Sequence, residues 1–419
     1  MSDLLQRVTE IARTAKKASR ALALAPTAVR DAALRAAAQA LRADEATILE
    51  ANAKDLAAAQ AKGLTEAMTD RLRLDHARLE DIAVACEAVA KLPDPVGEVT
   101  EDWTRPNGLR IIRRRVPIGL VAIIFESRPN VTVDAAALCL KSGNGCVLRG
   151  GSEAIHTNIA LSKSFATGLR AAGLPAEAVT LLPFTDREAV PALGSLRGIV
   201  DIIVPRGGPG LIEAVVNSAK VPVIKHDAGI CHVYVHAQAD LAMAEQIVLN
   251  AKCQRPSACN ALETLLVDAA VAQKFLPQMA AALSAKQTEV RACAQSRPLM
   301  PGAKAATEQD FRTEHLGLIL NVKIVAGLAE AVAHVEDYGS HHSDAIITAD
   351  ESAARAFLAQ IDSACVYWNA STRFTDGGEF GFGAEVGIST DRLHARGPMG
   401  IRELTTWKFE IVGQGQVRG

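Results

Sequence analysis

Residues 109–126 read LRIIRRRVPIGLVAIIFE. Pro117 interrupts the apolar run, because proline cannot donate to a strand ladder, so two strands hinged at Pro117 are expected. Downstream, further short apolar strands read at GCVLR (145–149), VTLLP (179–183), IVDIIVP (199–205), VPVIK (221–225) and CHVYVH (231–236). Helical patterns lie between several of them, near 131–141, 153–172 and 208–219. Continuous apolar strands alternating with helices imply a parallel sheet covered on both faces. Ligands on such sheets sit beyond the carboxyl ends of the strands.

Upstream, residues 1 to about 90 are Ala-rich and helical in pattern. Leu4, Val8, Ile11 and Ala15 fall on one face, as do Val29, Ala33, Ala37 and Leu41 after a helix start at Pro26-Thr27. A second strand–helix series begins near 261 with ALETLLV, LGLILNVKIV, DAIITA and ACVYWNA. The stretch STRFTDGGEFGFGAEVG that follows is too Gly-rich for a core element and reads as a functional loop. The tail ELTTWKFEIVGQGQVRG offers one strand, suited to pairing with another subunit.

The chain has 419 residues, and at roughly 150 residues per domain it makes two or three domains. Apolar residues are 49% and charged residues 22%, too apolar a mix for a disordered chain. With 45 basic against 47 acidic residues the net charge is -2, which provides no single-sign field for nucleic acid or an anionic membrane. No apolar run approaches the roughly 18 to 20 residues of a membrane span. The first residues carry an early Asp and no apolar core, so no signal peptide is expected. Eight cysteines without a C-x-x-C pair fit a reducing, cytoplasmic setting better than a disulfide scaffold.

Two Gly-rich turns follow strands and open helices: LRGGSEAIHTN (148–158) and VPRGGPGLIEAVV (204–216). Glycine there lets backbone N–H groups approach an anion, and a helix N-terminus adds partial positive charge. Either turn alone reads equally as strand–helix punctuation, and neither is a G-x-G-x-x-G or P-loop motif. AKCQRPSACNALETLLV (251–267) places Cys259 in a polar loop before a strand, with Arg255 nearby. Such a cysteine is either a thiolate nucleophile or an idle loop thiol, with Cys253 as its rival. In the turn from Glu126 to Asn130, the Asn130 amide is either a helix-start cap or a donor to a developing oxyanion. His226, Cys231, His232 and His236, and the pair His341-His342, lack any metal-binding spacing, so no metal is expected.

Taken together, VPIGLVAIIFESRPNVTVDAAALCLKSGNGCVLRGGSEA, VPRGGPGLI, KHDAGICHVYV, QRPSACNALETLLV and NASTRFTDGGEFGFGAEVGISTDRLHARGPMG resemble the gamma-glutamyl phosphate reductases, in order from about 110 to 410. These enzymes belong to the aldehyde dehydrogenase superfamily. The resemblance implies an α/β, aldehyde dehydrogenase-like fold: two parallel-sheet Rossmann-like domains and a small β oligomerisation flap. It places a cofactor-binding domain at 1–125 and 147–235, a catalytic domain at 236–370, and flap elements at 126–146 and 385–419. It implies NADPH-dependent reduction of L-glutamyl 5-phosphate to L-glutamate 5-semialdehyde through a cysteine thioester, the second step of proline biosynthesis. A hydrolytic NAD(P)-dependent aldehyde dehydrogenase of the same superfamily is the alternative.

By the same resemblance Cys259 is the nucleophile and Asn130 an oxyanion donor. Arg149, Gly150, Gly151 and Ser152 match the adenosine ribose and phosphate site, and Pro205, Arg206, Gly207 and Gly208 the second turn under NADP. Glu314 matches the nicotinamide ribose contact. Arg128, Ser371, Thr372 and Arg373 are substrate-binding candidates, with Arg373 either on the α-carboxylate, which a planar guanidinium suits, or in a loop-stabilising ion pair. The superfamily's water-activating Glu-Leu-Gly-Gly segment is replaced by His226-Asp227-Ala228-Gly229, which suits a thioester protected from water. Gly317 stands where an acidic residue is expected. A homo-oligomer, dimer or tetramer, and contact with a glutamate 5-kinase complete the expectations, with no nucleic-acid or membrane partner.

Overall fold

The computed structural model describes residues 3–126, 128–225 and 228–418. It divides into two compact units: residues 3–225 with 381–387 and 399–418, and residues 228–380 with 388–398.

In the first unit, helix Asp3–Leu24 buries Val8, Ala12 and Ala15 against strand residues Leu120, Ala122 and Ile124. Helix Thr27–Ala43 starts at the expected Pro26-Thr27 and buries Ala33, Leu34, Ala37 and Leu41. It packs against helix Ile155–Ala171, where Gly168 makes close approach possible. A Cβ on Gly168 would lie 2.3 Å from the Ala37 nitrogen and 2.5 Å from its Cα. Alanine normally favours a helix interior over glycine by about 1 kcal/mol. Here backbone overlap reverses the sign. Gly168→Ala is expected to destabilise the first unit by about 2–3 kcal/mol, seen as a melting temperature lower by about 5–10 °C. An unchanged melting temperature would refute the contact.

Among the described residues the first unit carries a four-stranded parallel sheet in the order Val179–Leu181, Gly145–Arg149, Leu120–Phe125, Ile202–Arg206. Arg110–Pro117 and Leu120–Phe125 are the two strands expected around Pro117. The first of them leaves the parallel sheet. It sits between Val99–Thr104 and Thr405–Val412 in a three-stranded antiparallel sheet, where the tail supplies its predicted strand. Trp407, Phe409 and Ile411 on that strand are exposed. VPVIK at 221–225 forms no strand. It touches the sheet at one bridge, Ile203 to Val223, because Pro222 has no N–H and offers only its carbonyl to Ile203. Residues 131–141, read from sequence within the flap, form a buried helix of the first unit between Leu120–Phe125 and Gly145–Arg149.

The second unit holds a seven-stranded parallel sheet among the described residues, ordered Lys304–Ala305, Glu289–Ala292, Ile319–Val325, Leu262–Asp268, Cys231–Val235, Ser343–Ile347, Cys365–Trp368. Helices Leu241–Cys253 and Ala269–Ala285 cover one face through Val248, Ala251, Phe275 and Leu276. On the other face lies a buried aromatic group. His334 stacks on Tyr338 at 4.3 Å and meets His232 edge-on at 5.5 Å. Burial, then the charges of His232, Lys323 and Arg312, push the His334 pKa down to about 2. A depressed histidine pKa means that the unfolded chain takes up the proton first. Stability is therefore present above pH 6.5 and is lost as pH falls from there toward 2. Between pH 6.5 and 4.5 the second unit is expected to lose up to about 1.4 kcal/mol per pH unit through this group. Denaturation of His334→Gln across that window checks this: an equally steep dependence would refute it.

Candidate active site

Cys259 lies in the turn between helix Leu241–Cys253 and strand Leu262–Asp268. The turn is closed by Ala258 N–H to the Arg255 carbonyl at 3.1 Å and Ala261 N–H to the Ala258 carbonyl at 3.0 Å. Cys259 is half-buried. It stands at the amino end of its strand, in the helix–strand connection. Cys253, by contrast, ends the helix, packs against the aliphatic core and lies 3.5 Å from Thr288 Oγ1. Cys259 is thus the thiol in the polar turn and Cys253 the one against the core.

Two guanidinium groups accompany that turn. Arg255 is exposed. Arg373 follows strand Cys365–Trp368 in the short helical turn Thr372–Phe374 and is half-buried. Arg373 donates from Nε to Gln254 Oε1 at 2.8 Å and from Nη1 to Asn260 Oδ1. Burial lowers its pKa, the Arg255 charge lowers it further, and the Cys259 sulfur opposes both. Ser371 and Thr372 are buried, and Thr372 Oγ1 donates to the Asn260 carbonyl at 2.7 Å. Thr372 therefore braces the Cys259 turn, while Ser371 Oγ accepts from the Arg373 N–H at 3.2 Å. Arg128 is exposed and belongs to the first unit.

Several groups escaped the sequence reading. A Cβ on Gly229 would lie 1.9 Å from the Cys259 carbonyl oxygen and 2.7 Å from its Cα. The buried Cys231 thiol donates to that same carbonyl at 3.3 Å. Lys252 and Glu263 form a fully buried ion pair, Nζ to Oε2 2.8 Å. Burial drives both toward neutrality, lowering the lysine pKa and raising the glutamate pKa. Glu314 is held by the Gly229 N–H, and burial raises its pKa. Nothing in residue order marks these contacts: Gly229 and Glu314 come from distant segments, and Lys252 and Glu263, eleven positions apart across the turn, show no sign of burial. His226 and Asp227 lie outside the described residues, as does Ser127.

In the first unit, Glu126, Gly150 and Gly207 follow the ends of three adjacent strands, where Ile124 pairs with Arg149 and Phe125 with Arg206. The helix ends behind the two Gly-rich turns already have carboxylate partners. The N-terminus of helix Ile155–Ala171 is capped by buried Asp55, which accepts from the His156 and Thr157 N–H groups at 3.2 and 2.8 Å. Helix Pro209–Ser218 has its Gly208 N–H bonded to Glu126 Oε2 at 3.0 Å. Each helix end thus carries a built-in carboxylate. Arg149 is buried and donates to the Thr185 carbonyl at 3.0 Å, while its Nε finds no partner among the described residues. A Cβ on Gly150 would lie 2.2 Å from Asn158 Nδ2, a buried amide also without a partner there. Ser152 is exposed. Bare backbone and unspent donors of this kind fit a ribose or phosphate oxygen better than the two capped helix ends do.

Asn130 precedes helix Val131–Lys141 and donates to Asp134 Oδ2 at 2.8 Å, leaving one amide hydrogen for another acceptor. Burial pushes Asp134 up to about 6, against that hydrogen bond and the Arg206 charge. His232 Nδ1 lies 3.0 Å from Asp344 Oδ1 and His236 Nδ1 lies 2.8 Å from Thr348 Oγ1. Among the described residues no group of three or more His, Cys, Asp or Glu side chains is placed to hold a metal.

The aldehyde dehydrogenase family model matches residues 5–297. A gamma-glutamyl phosphate reductase of Moorella thermoacetica is 54% identical over 404 residues, covering 96% of this chain and 97% of that protein. The chain belongs to the gamma-glutamyl phosphate reductases of the aldehyde dehydrogenase family. A Paramagnetospirillum magneticum gamma-glutamyl phosphate reductase is 51% identical, covering 100% of this chain and 99% of the relative. The crystal structure of gamma-glutamyl phosphate reductase from Thermotoga maritima superimposes with a TM-score of 0.97 at 45% identity, covering 100% of both chains. The two parallel sheets and the three-stranded antiparallel one are therefore the aldehyde dehydrogenase-like fold that was expected. No helix of the described residues is long and apolar enough to cross a membrane.

Proposed function

We propose that this chain reduces L-glutamyl 5-phosphate to L-glutamate 5-semialdehyde and phosphate, with NADPH as donor, in proline biosynthesis. The observation that carries the reading is Cys259, half-buried in a turn beside Arg255 and Arg373. Two positive charges favour the thiolate and an anionic acyl phosphate together. The Cys259 thiolate attacks the acyl carbon and the C–O bond to phosphate breaks. The electron pair leaves on the phosphate, which Arg255 meets at the surface, and a thioester remains on Cys259. The second hydrogen of the Asn130 amide and the Cys259 N–H are assigned to the oxyanion. One such donor is worth about 2.7–4 kcal/mol of barrier. When the reduced nicotinamide is bound, it supplies the hydride that brings the thioester carbon to the aldehyde level. Collapse of the tetrahedral adduct returns the thiolate.

Arg149, Gly150, Gly151 and Ser152, with Pro205, Arg206, Gly207 and Gly208, are assigned to the dinucleotide, and Glu314 to its nicotinamide ribose. Arg149 gives one Nη to a carbonyl and keeps Nε unspent among the described residues, so it is assigned, with exposed Arg187 near it, to a 2′-phosphate. The exposed face of the Thr405–Val412 strand suits a homo-oligomer, and the thiol content suits the cytoplasm. A labile acyl phosphate makes contact with the upstream glutamate 5-kinase advantageous.

The test is oxidation of glutamate 5-semialdehyde with and without phosphate, in the presence of NADP or NAD. Phosphate-dependent reduction of NADP is expected. Phosphate-independent formation of glutamate would instead mark a hydrolytic aldehyde dehydrogenase. Arg373→Ala is expected to raise the semialdehyde KM by about tenfold, the worth of a charged hydrogen bond, with cofactor KM unchanged. An unaltered semialdehyde KM would remove Arg373 from the substrate carboxylate.

A further inference from the structure

Glu263 uses both carboxylate oxygens. Oε2 accepts from Lys252 Nζ at 2.8 Å, and Oε1 accepts from the Leu316 N–H at 3.2 Å. Leu316 is half-exposed and has φ 53, a left-handed backbone that a leucine rarely adopts. Such a conformation persists where its surroundings over-determine it, and the bond to Glu263 is one constraint on this residue. Two residues earlier, Glu314 accepts from the Gly229 N–H. Gly229 in turn packs on the Cys259 backbone. A continuous path thus runs from Lys252 through Glu263 and the 314–316 loop to the cysteine turn, all within the second unit.

We propose that Glu263 is a positioning residue for the cofactor's nicotinamide ribose: with Lys252 as buried counter-ion, it clamps the Leu316 N–H and so sets the carboxylate of Glu314. The inference rests on the reductase reading for the role of Glu314. Lys252 explains how a carboxylate survives here at all, since an unpaired buried carboxylate would protonate and weaken as an acceptor. The full charge of the pair is therefore dispensable, and the acceptor toward Leu316 is not.

That distinction gives the experiment. Lys252→Met with Glu263→Gln removes both charges and keeps a carbonyl acceptor. Lys252→Met with Glu263→Leu removes the acceptor too. NADPH affinity is measured by fluorescence titration, alongside alkylation of the Cys259 thiol by iodoacetamide. The Gln protein is expected to bind NADPH within about threefold of the parent, and the Leu protein about tenfold more weakly, the worth of one hydrogen-bonded anchor. Alkylation rates are expected to match. In a Glu314→Gln background the Leu exchange is expected to cause no further loss, which a merely structural defect would not produce. Equal NADPH affinity of the Gln and Leu proteins overturns the proposal, as does full additivity with Glu314→Gln. If the Leu protein does not fold, Met at 263 takes its place with the same expectation. Failure of the parent to turn over semialdehyde with phosphate would sink the reductase reading instead, a result independent of the two affinities.

Discussion

Cys259→Ala is expected to lower kcat for semialdehyde oxidation by at least about 10⁴-fold, the scale on which loss of a covalent nucleophile acts. Cys253→Ala is expected to keep most of the activity. The two thiols are six positions apart in sequence and differ entirely in surroundings. One stands in a polar turn near Arg255 and Arg373, and the other is packed against aliphatic side chains at a helix end. Melting temperature separates chemistry from packing. The alanine at 259 is expected to leave it nearly unchanged, while at 253 it removes core contacts and lowers it slightly. A burst of covalently labelled enzyme with acyl phosphate, absent from the first variant and present in the second, completes the comparison. Retained turnover by Cys259→Ala would end the thioester account.

Gly229→Ala is expected to cut kcat by about 100-fold or more, since a displacement of 1 Å at a reacting group has that effect. The added methyl would sit 1.9 Å from the Cys259 carbonyl oxygen and 2.6 Å from its carbonyl carbon. Those are backbone atoms, which cannot rotate aside as a side chain would. Either the 228–230 segment or the cysteine turn has to move, and with it the bond from Gly229 to Glu314. The cofactor Kd is therefore expected to rise along with the fall in kcat. Normal kcat with normal Kd would show that the segment yields without consequence.

Much of the architecture was legible because local pattern and tertiary role agree. GCVLR became a strand over the same residues, and 131–141 became the helix its apolar face demanded. VPVIK was misread because apolar content alone does not reveal that Pro222 lacks a donor. For the site, the polar, Pro-containing loop around Cys259 was legible as a turn before a strand. The capping of the helix ends behind the two Gly-rich turns was not. Asp55 lies about a hundred residues from the helix end that it serves (His156 in the hydrogen bond) and Glu126 eighty-two from Gly208. A helix start announces bare N–H groups but not the distant carboxylate that takes them. The Lys252–Glu263 pair was hidden for a related reason: charged residues flanking a loop read as surface until burial is known.

The three-stranded sheet carries a consequence for biogenesis. Arg114 in its middle strand is joined to Glu410, 296 residues further along. At ribosomal speeds of about 5–20 residues per second, the middle strand waits roughly 15–60 s for that partner. The whole second unit is synthesised in the interval. Newborn chains therefore pass through a stage with an open, arginine-rich strand edge, and a chaperone that shields such edges would find its client there.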